Sequence, residues 1–349
     1  MSRPKLDDIA RALRISTATV SNALSGKGRV SDDLIAAIRQ KAEELDYVPS
    51  LAGRALRTGR SGFIGLVLAD IGNPLFPQIA RAIENAAADH DVGVLIGDSR
   101  GDVHAQTQVI NRLVERGADG LIVVPRHGTR IGDIGRPVAV IDTSSTPGNT
   151  IAADHWDGGR QMARHLTDLG HKKVVIIGGN SDSNVQNDRV GGLKAGFKSR
   201  AEVRVLWIDE LERQQGKERE LGLVDHVQRG ATAFAAVSDL HALRALTELQ
   251  RAGIAVPKQV SVTGFDDLVF SNVVLPGLTT MRMDLPAIAE IAVARLLDRI
   301  SNSDDEDDAP GTGLAPEKSV PMTLVVRLSS GPVAAPKRRS STSKRSTDG

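Results

Sequence analysis

The 349-residue sequence predicts a small all-α module of helix-turn-helix type ahead of an α/β body built from two doubly wound parallel-sheet subdomains. Three observations carry that prediction. The first 45 residues show three short amphipathic helical patterns, from Phe63 onward apolar strands alternate with helices, and that alternation restarts at His171. Apolar strands joined by crossover helices imply parallel sheets covered on both faces.

Leu6, Ile9, Ala10 and Leu13 recur at i, i+3, i+4 and i+7, one apolar face of a first helix, with Asp7 and Asp8 in its first turn, where carboxylates suit the helix dipole. Ser16 is an N-cap for a second helix, and Gly26 is a natural stop for it. The third follows Ser31, with Leu34, Ile38, Ala42 and Leu45 on one face. Two helices joined by so short a turn, followed by a third, form the helix-turn-helix pattern. The second is unusual: Ser16 to Ser25 is crowded with Ser, Thr and Asn, yet keeps Ile15, Val20 and Leu24 at core spacing. Residues 1–60 hold 11 Lys/Arg against 7 Asp/Glu, in a chain whose net charge is only +1, so a basic module precedes a mildly acidic body. That balance points to a polyanionic partner at the N-terminus.

Pro49 ends the module, and the Ala/Arg-rich stretch Ser50–Gly62 reads as a hinge, since Gly53, Gly59 and Gly62 weaken any helix there. The body then runs as strand "GFIGLVLAD", helix "FPQIARAIENAAADHD", strand "VGVLIGDS", helix "HAQTQVINRLVERG", and strands "ADGLIVVP" and "RPVAVID". The second round has "HKKVVIIGGN", the helix "DRVGGLKAGFKSR", "VRVLWIDE", "ATAFAAVSD", "LHALRALTELQRAG" and "VSVTGFDD", and a last strand "MTLVVRLSS" follows an acidic loop at Ser303–Gly313. Ligands in such folds sit at the carboxyl ends of the strands. No cysteine is present, which excludes disulfides and thiolate chemistry. No apolar run reaches the ~20 residues of a membrane helix, and the N-terminus lacks the apolar core of a signal peptide, so a cytoplasmic protein is expected.

The segment from Leu6 to Phe76, together with "VPKQVSVTGFDD", "LTTMRMDLPAIAE" and "MTLVVRL", resembles the lactose/galactose repressor (LacI/GalR) family, over residues 5 to about 328. The resemblance implies a DNA-binding headpiece (1–48), a hinge helix (49–61) and a core like the type I periplasmic sugar-binding proteins (62–328). In that core the N-subdomain would comprise about 62–153 and 284–315, and the C-subdomain about 154–283 and 316–328. Residues 329–349, with Lys337, Arg338, Arg339, Lys344 and Arg345, read as a disordered basic tail. The resemblance also implies a homodimer on palindromic double-stranded operator DNA. A small sugar-like effector would sit between the subdomains.

In the headpiece the family's base-reading positions fall on Thr17, Ala18 and Asn22. Asn22 suits a bidentate pair with adenine, where an Arg would favour guanine. Ser16, Thr19, Ser21, Ser25 and Lys27 are expected at phosphates, which position without specifying, and Arg29 is expected among the DNA-binding residues. Arg14 stands where the family often has Gly, with a strain of about 1 kcal/mol if its φ is positive. The family's hinge leucine matches Leu56, between Arg54 and Arg57, which suits a minor-groove wedge with phosphate clamps.

In the core the resemblance assigns effector contacts to Leu75 and Phe76 in the first loop, Asp142 after "VAVI", Arg189 heading its helix, Ser238, and Asp266. Arg with Asp would grip vicinal hydroxyls or an acid group. Asp154 and Asp239 have an alternative reading as helix caps. Two departures bear on the ligand: Ser238 replaces a common Asn, and Glu210 stands where some members supply an aromatic ring. A transport component is disfavoured by the attached headpiece. An enzyme is disfavoured because no nucleophile elbow, Walker lysine or paired-His metal motif occurs; catalytic residues, metal and cofactor are therefore not expected. His155, His165 and His171 read as surface histidines.

Overall fold

The computed structural model describes residues 4–24, 30–47, 59–132, 134–146, 148–216, 220–302 and 319–333. The chain divides into two compact units, Met1–Gly62 and Phe63–Gly349.

In the first unit, α1 (Leu6–Leu13), α2 (Thr17–Leu24) and α3 (Asp32–Glu44) enclose a core of Ile9, Ala10, Val20, Ala23, Ile38 and Ala42. Leu24, Leu34 and Leu45 pack partly buried at its margin. The α1–α2 turn depends on Arg14, which sits in the left-handed region at φ 54°, ψ 42° and whose N–H bonds back to α1 carbonyls. Ser16 caps α2: its Oγ accepts the Thr19 N–H at 3.0 Å and lies 2.8 Å from the Thr19 hydroxyl. Gly26 lies outside the described residues.

The second unit contains a six-stranded sheet in the order β11-β5-β4-β3-β1-β2 and a four-stranded sheet in the order β7-β6-β8-β9, each wholly parallel. The first comprises β1 (Phe63–Leu68), β2 (Gly93–Asp98), β3 (Leu121–Val123), β4 (Val138–Asp142), β5 (Ile151–Ala153) and β11 (Ser319–Val320). The second comprises β6 (Lys173–Gly178), β7 (Glu202–Trp207), β8 (Ala233–Ala236) and β9 (Ser261–Thr263). A short antiparallel pair, β10 (Thr280–Arg282) with β12 (Thr323–Val325), lies beyond β9. The buried strands read as continuous apolar runs because helices cover both faces. These include α4 (Leu75–Ala88) and α5 (Val103–Glu115) in the first subdomain, and α6 (His155–Asp168), α7 (Asn184–Phe197) and α10 (Asp239–Arg251) in the second. Two short helices, α8 (Ile208–Gln215) and α9 (Leu223–Gln228), precede α10; α11 (Val269–Val273) follows β9, and α12 (Leu285–Asn302) returns the chain to the first subdomain. The chain therefore crosses between sheets after Ala153, after Met283 and after Val320.

Several boundaries differ from expectation. Ser319 and Val320 pair with Ala152 and Ala153, so this stretch belongs to the first sheet and the last crossing comes after Val320 rather than at 316. Residues 329–333 are not part of a tail. Ser329 is fully buried and donates to the Val262 carbonyl at 2.6 Å, while the Gly331 N–H donates to Ser261 Oγ at 3.0 Å. Two histidines expected at the surface are buried, because polar partners await them inside. His171 lies between Thr232 Oγ1 at 3.0 Å and Ser261 Oγ at 2.9 Å, and His155 faces Arg189. Burial depresses the pKa of both, so they stay neutral.

Candidate functional site

The two units each carry a candidate site. On α2 the apolar side, Val20 and Ala23, is buried, while Thr17, Ala18 and Asn22 are exposed and Ser21 is half-buried between them. The helix thus offers a short polar surface whose side chains are small enough for a close approach to a duplex. Ser16 is exposed at its start, with its oxygen engaged in the cap. Ser25, Lys27, Arg29, Arg54, Leu56 and Arg57 lie outside the described residues.

In the second unit, the carboxyl ends of strands from both sheets open on one cavity of about 550 Å³. All six residues expected at the effector site line it: Leu75, Phe76, Asp142, Arg189, Ser238 and Asp266. Their settings differ from the sequence reading in three respects. Leu75 and Phe76 are the first residues of α4 rather than loop residues, because Asn73 Oδ1 accepts the Leu75 N–H at 3.1 Å and Pro74 starts the helix. Arg189 is in the second turn of α7, which begins at Asn184 under a Ser183 cap, so it projects from within a helix rather than heading it. The Ser238 hydroxyl is occupied as the N-cap of α10, accepting the His241 N–H at 3.3 Å.

Arg189 and Asp266 form the centre of the cavity floor. Nη1 lies 2.9 Å from Asp266 Oδ1, with both side chains only 4% exposed. The same nitrogen donates to the Val237 carbonyl at 2.7 Å, Nε donates to His155 Nδ1 at 3.3 Å, and the guanidinium sits 4.8 Å over the Phe265 ring. The Asp266 contact is close but out of line, and Oδ1 has no hydrogen-bond partner among the described residues. Burial pushes the Asp266 carboxyl up, and the guanidinium opposes the shift. Asp266 also holds φ at 108°, and Asp267 follows at 49°. Non-glycine residues in this region store roughly 1–3 kcal/mol of strain, which persists where the surroundings over-determine it. Here Arg189 fixes Asp266, while Arg282 and Arg327 fix Asp267 at 2.6 and 2.7 Å.

Asp142 is half-buried on the opposite subdomain, where burial raises its pKa and the Thr146 hydroxyl, donating at 2.5 Å, stabilises its charge. Asn184 of α7 donates to that same hydroxyl at 3.1 Å, so a hydrogen-bonded chain joins the two subdomains beside the cavity. Asp154 is a helix cap, accepting the Asp157 N–H at 2.9 Å. Asp239 is not: it is fully buried and accepts from the Leu268 N–H, the Ser271 hydroxyl and the Thr280 hydroxyl. Burial first and the Asp266 charge second push its pKa up to about 7. Among the described residues no group of His, Cys, Asp and Glu is arranged to hold a metal ion.

Two family models match this chain. The model of the bacterial regulatory proteins of the lacI family covers residues 5–50, and a periplasmic-binding-protein-like domain model covers residues 163–330. The chain belongs to the LacI family.

Among this family's members, the ribose operon repressor of Haemophilus influenzae is 28% identical over 309 residues, which cover 86% of this chain and 93% of that protein. The crystal structure of the lac repressor dimer bound to operator and the anti-inducer ONPF superposes with a TM-score of 0.78 at 23% identity, covering 95% of this chain and 100% of that one. A LacI family regulator from Enterococcus faecium with bound ribose gives a TM-score of 0.65 at 23% identity over 78% of this chain and 99% of that one. The fold of this LacI-family chain is accordingly lac-repressor-like.

Sequence reading missed His155 and His241, which also line the cavity. His155 follows the capping Asp154 directly, and His241 follows Ser238 by three residues on one helix face; that spacing was the available signal.

Proposed function

We propose that α2 reads operator DNA in the major groove and that the core cavity binds a small effector which tunes that reading. The chain is a ligand-controlled DNA-binding regulator of the LacI family. The observation that carries the reading is the pairing, in one chain, of an exposed Thr17–Ala18–Asn22 surface with a cavity floored by the buried Arg189–Asp266 pair. Arg and Asp side by side present donors and an acceptor of fixed geometry, which suits adjacent hydroxyls of a sugar. Phe76 and Leu75 supply the apolar wall for its ring, and Asp142 a further acceptor from the other subdomain. An effector that contacts both subdomains binds one arrangement better than the other and shifts the population of the DNA-competent state.

A homodimer on a palindromic site accompanies this reading. The second subdomain exposes Val269, Phe270, Val273, Leu275, Val326 and Leu328, and Leu328 bonds to the Gly277 carbonyl, so the two apolar stretches adjoin. We assign this patch to the contact between copies. Hydrophobic surface of that extent on a regulator is covered in the assembled state. The chain acts where its DNA is, in the cytoplasm, and as a binding protein rather than an enzyme; the relatives named above are regulators. Among the described residues no helix is long and apolar enough to cross a membrane. The domain limits follow from this reading: a headpiece to residue 48, a hinge with Leu56 as wedge at 49–61, and the effector core beyond.

The test is fluorescence anisotropy of the full chain on a duplex selected from a palindromic library. Salt-dependent binding that prefers the selected site by at least a thousandfold over random duplex is expected. Equal affinity for both duplexes would refute sequence reading by α2.

A further inference from the structure

His241 sits in the first turn of α10 and lines the cavity together with Ser238, Leu240, Arg189 and Asp266. Its Nδ1 is buried and has no hydrogen-bond partner among the described residues. A buried ring nitrogen left unpaired carries its full desolvation penalty, so a group that pairs with it on binding recovers that loss. The backbone makes room for this ring. A methyl built on Gly179, the residue after β6, would come within 2.3 Å of its Cε1 and 2.6 Å of its Nε2. Gly179 in turn is held by its N–H, which donates to Gln186 Oε1 at 2.6 Å.

The ring is also electrically neutral. Burial, then the Arg244 and Arg189 guanidiniums, push its pKa down to about 4, with Glu212 opposing. The buried charged pair of the cavity, Arg189 with Asp266, is already balanced at 2.9 Å. At His241 Nδ1 a charged ligand group would face a neutral ring, whereas a hydroxyl would find a nitrogen able to take or give a hydrogen bond. No aromatic ring from β7 competes for the position. Trp207 instead packs against Gly178, where a methyl would meet its Cζ3 at 2.2 Å.

We propose that His241 is an effector-binding residue, reading a hydroxyl of an uncharged polyol at the buried end of the cavity, and that Gly179 is the positioning residue that gives the imidazole its place. The proposal rests on the cavity being the effector site. The family resemblance implied effector contacts at Leu75, Phe76, Arg189 and Asp266; a neutral imidazole joins them on the cavity wall.

The test is calorimetric titration of the full-length protein at pH 7.5 with neutral sugars (D-ribose, D-xylose, D-glucose, D-galactose, cellobiose) and with D-ribose 5-phosphate and D-glucose 6-phosphate. The variants are His241→Leu, His241→Asn, Gly179→Ala and Arg189→Met, each checked for cooperative unfolding. At least one neutral sugar should bind, on the order of tenfold more weakly in His241→Leu and Gly179→Ala, with partial recovery in His241→Asn, whose amide reaches the Nδ1 position. Unchanged affinity in His241→Leu with loss in Arg189→Met would overturn the role of His241 and leave the cavity reading intact. Neutral-sugar binding untouched by Arg189→Met would overturn the cavity reading itself. Binding of the phosphorylated sugars alone, or of none of the probes, would overturn the uncharged-polyol assignment.

Discussion

Replacing Arg189 with Met tests how the cavity floor is held together. The substitution keeps the aliphatic stem but removes the guanidinium from Asp266, from the Val237 carbonyl, from His155 Nδ1 and from the Phe265 face. Breaking a buried ion pair by removing one partner costs about 3–5 kcal/mol, because the remaining charge is stranded. Each orphaned acceptor adds about 1–3 kcal/mol, and the terms overlap. Asp266 relieves part of the loss by taking a proton, since burial already raises its pKa. A net destabilisation of about 4 kcal/mol at pH 7.5 is expected, shrinking as the pH falls and the carboxyl neutralises. Removing both charges in Arg189→Met/Asp266→Leu should restore much of the loss, since no buried charge is then stranded, while the Val237 carbonyl and His155 Nδ1 stay unpaired. The assay is urea unfolding followed by tryptophan fluorescence. The two tryptophans, Trp156 and Trp207, flank this subdomain's sheet, and Trp156 packs directly on Gly191 and Gly192 of the helix that carries Arg189. A single variant that loses less than 1 kcal/mol, or a double variant no more stable than the single, would refute the stranded-charge reasoning.

Three further outcomes follow from other parts of the molecule. Asp239 keeps a proton in the folded chain up to about pH 7 against 3.8 in the open chain, so its stabilisation is full at low pH and is lost as pH rises through 7. This group should remove about 1.4 kcal/mol of stability between pH 6 and 8, and Asp239→Asn should abolish that slope in pH-dependent denaturation; an unchanged slope would exclude it. Arg14→Gly relieves a left-handed residue at φ 54° and should stabilise the headpiece by about 1 kcal/mol, read by its thermal midpoint; an unchanged or lower midpoint would exclude stored strain at this turn. Asn22→Arg should switch the preferred base at one position per half-site by about 1–3 kcal/mol in a binding-site selection, whereas uniform weakening across all sequences would exclude base reading.

The headpiece was legible because its helices obey one period. Ile9 and Ala10 on α1 and Ile38 and Ala42 on α3 are buried, as the spacing requires. Arg14 was legible only through the family resemblance, which puts a Gly at this turn and so pointed to the positive φ that the structure shows. In the core, the strands that lie within longer apolar runs announced themselves, the short β3, β9 and β12 included, but β5, β10 and β11 did not. Their stretches carry no apolar run or period of their own, and these strands exist because neighbours in the sheet accept them. The cavity residues were assigned by the family resemblance, and the place of Asp142, Ser238 and Asp266 at or just beyond strand ends agrees with it. What the sequence hid was the engagement of their atoms. Nothing local says that Ser238 spends its hydroxyl on a cap, that Asp239 turns inward toward Ser271 and Thr280, or that His171 is closed over by Ser261 and Gly331. Those contacts join residues from 3 to 160 positions apart, and all but the cap are fixed only when the second sheet closes.

The coupling between the two units is tested most directly by one titration. The full-length chain is held on its selected palindromic duplex, and the neutral sugar that binds the cavity is added while anisotropy is followed, in parallel with Arg189→Met. Operator affinity should change at least fivefold in the native chain at saturating sugar and stay constant in the variant. Operator affinity that ignores a sugar shown by calorimetry to occupy the cavity would contradict the account.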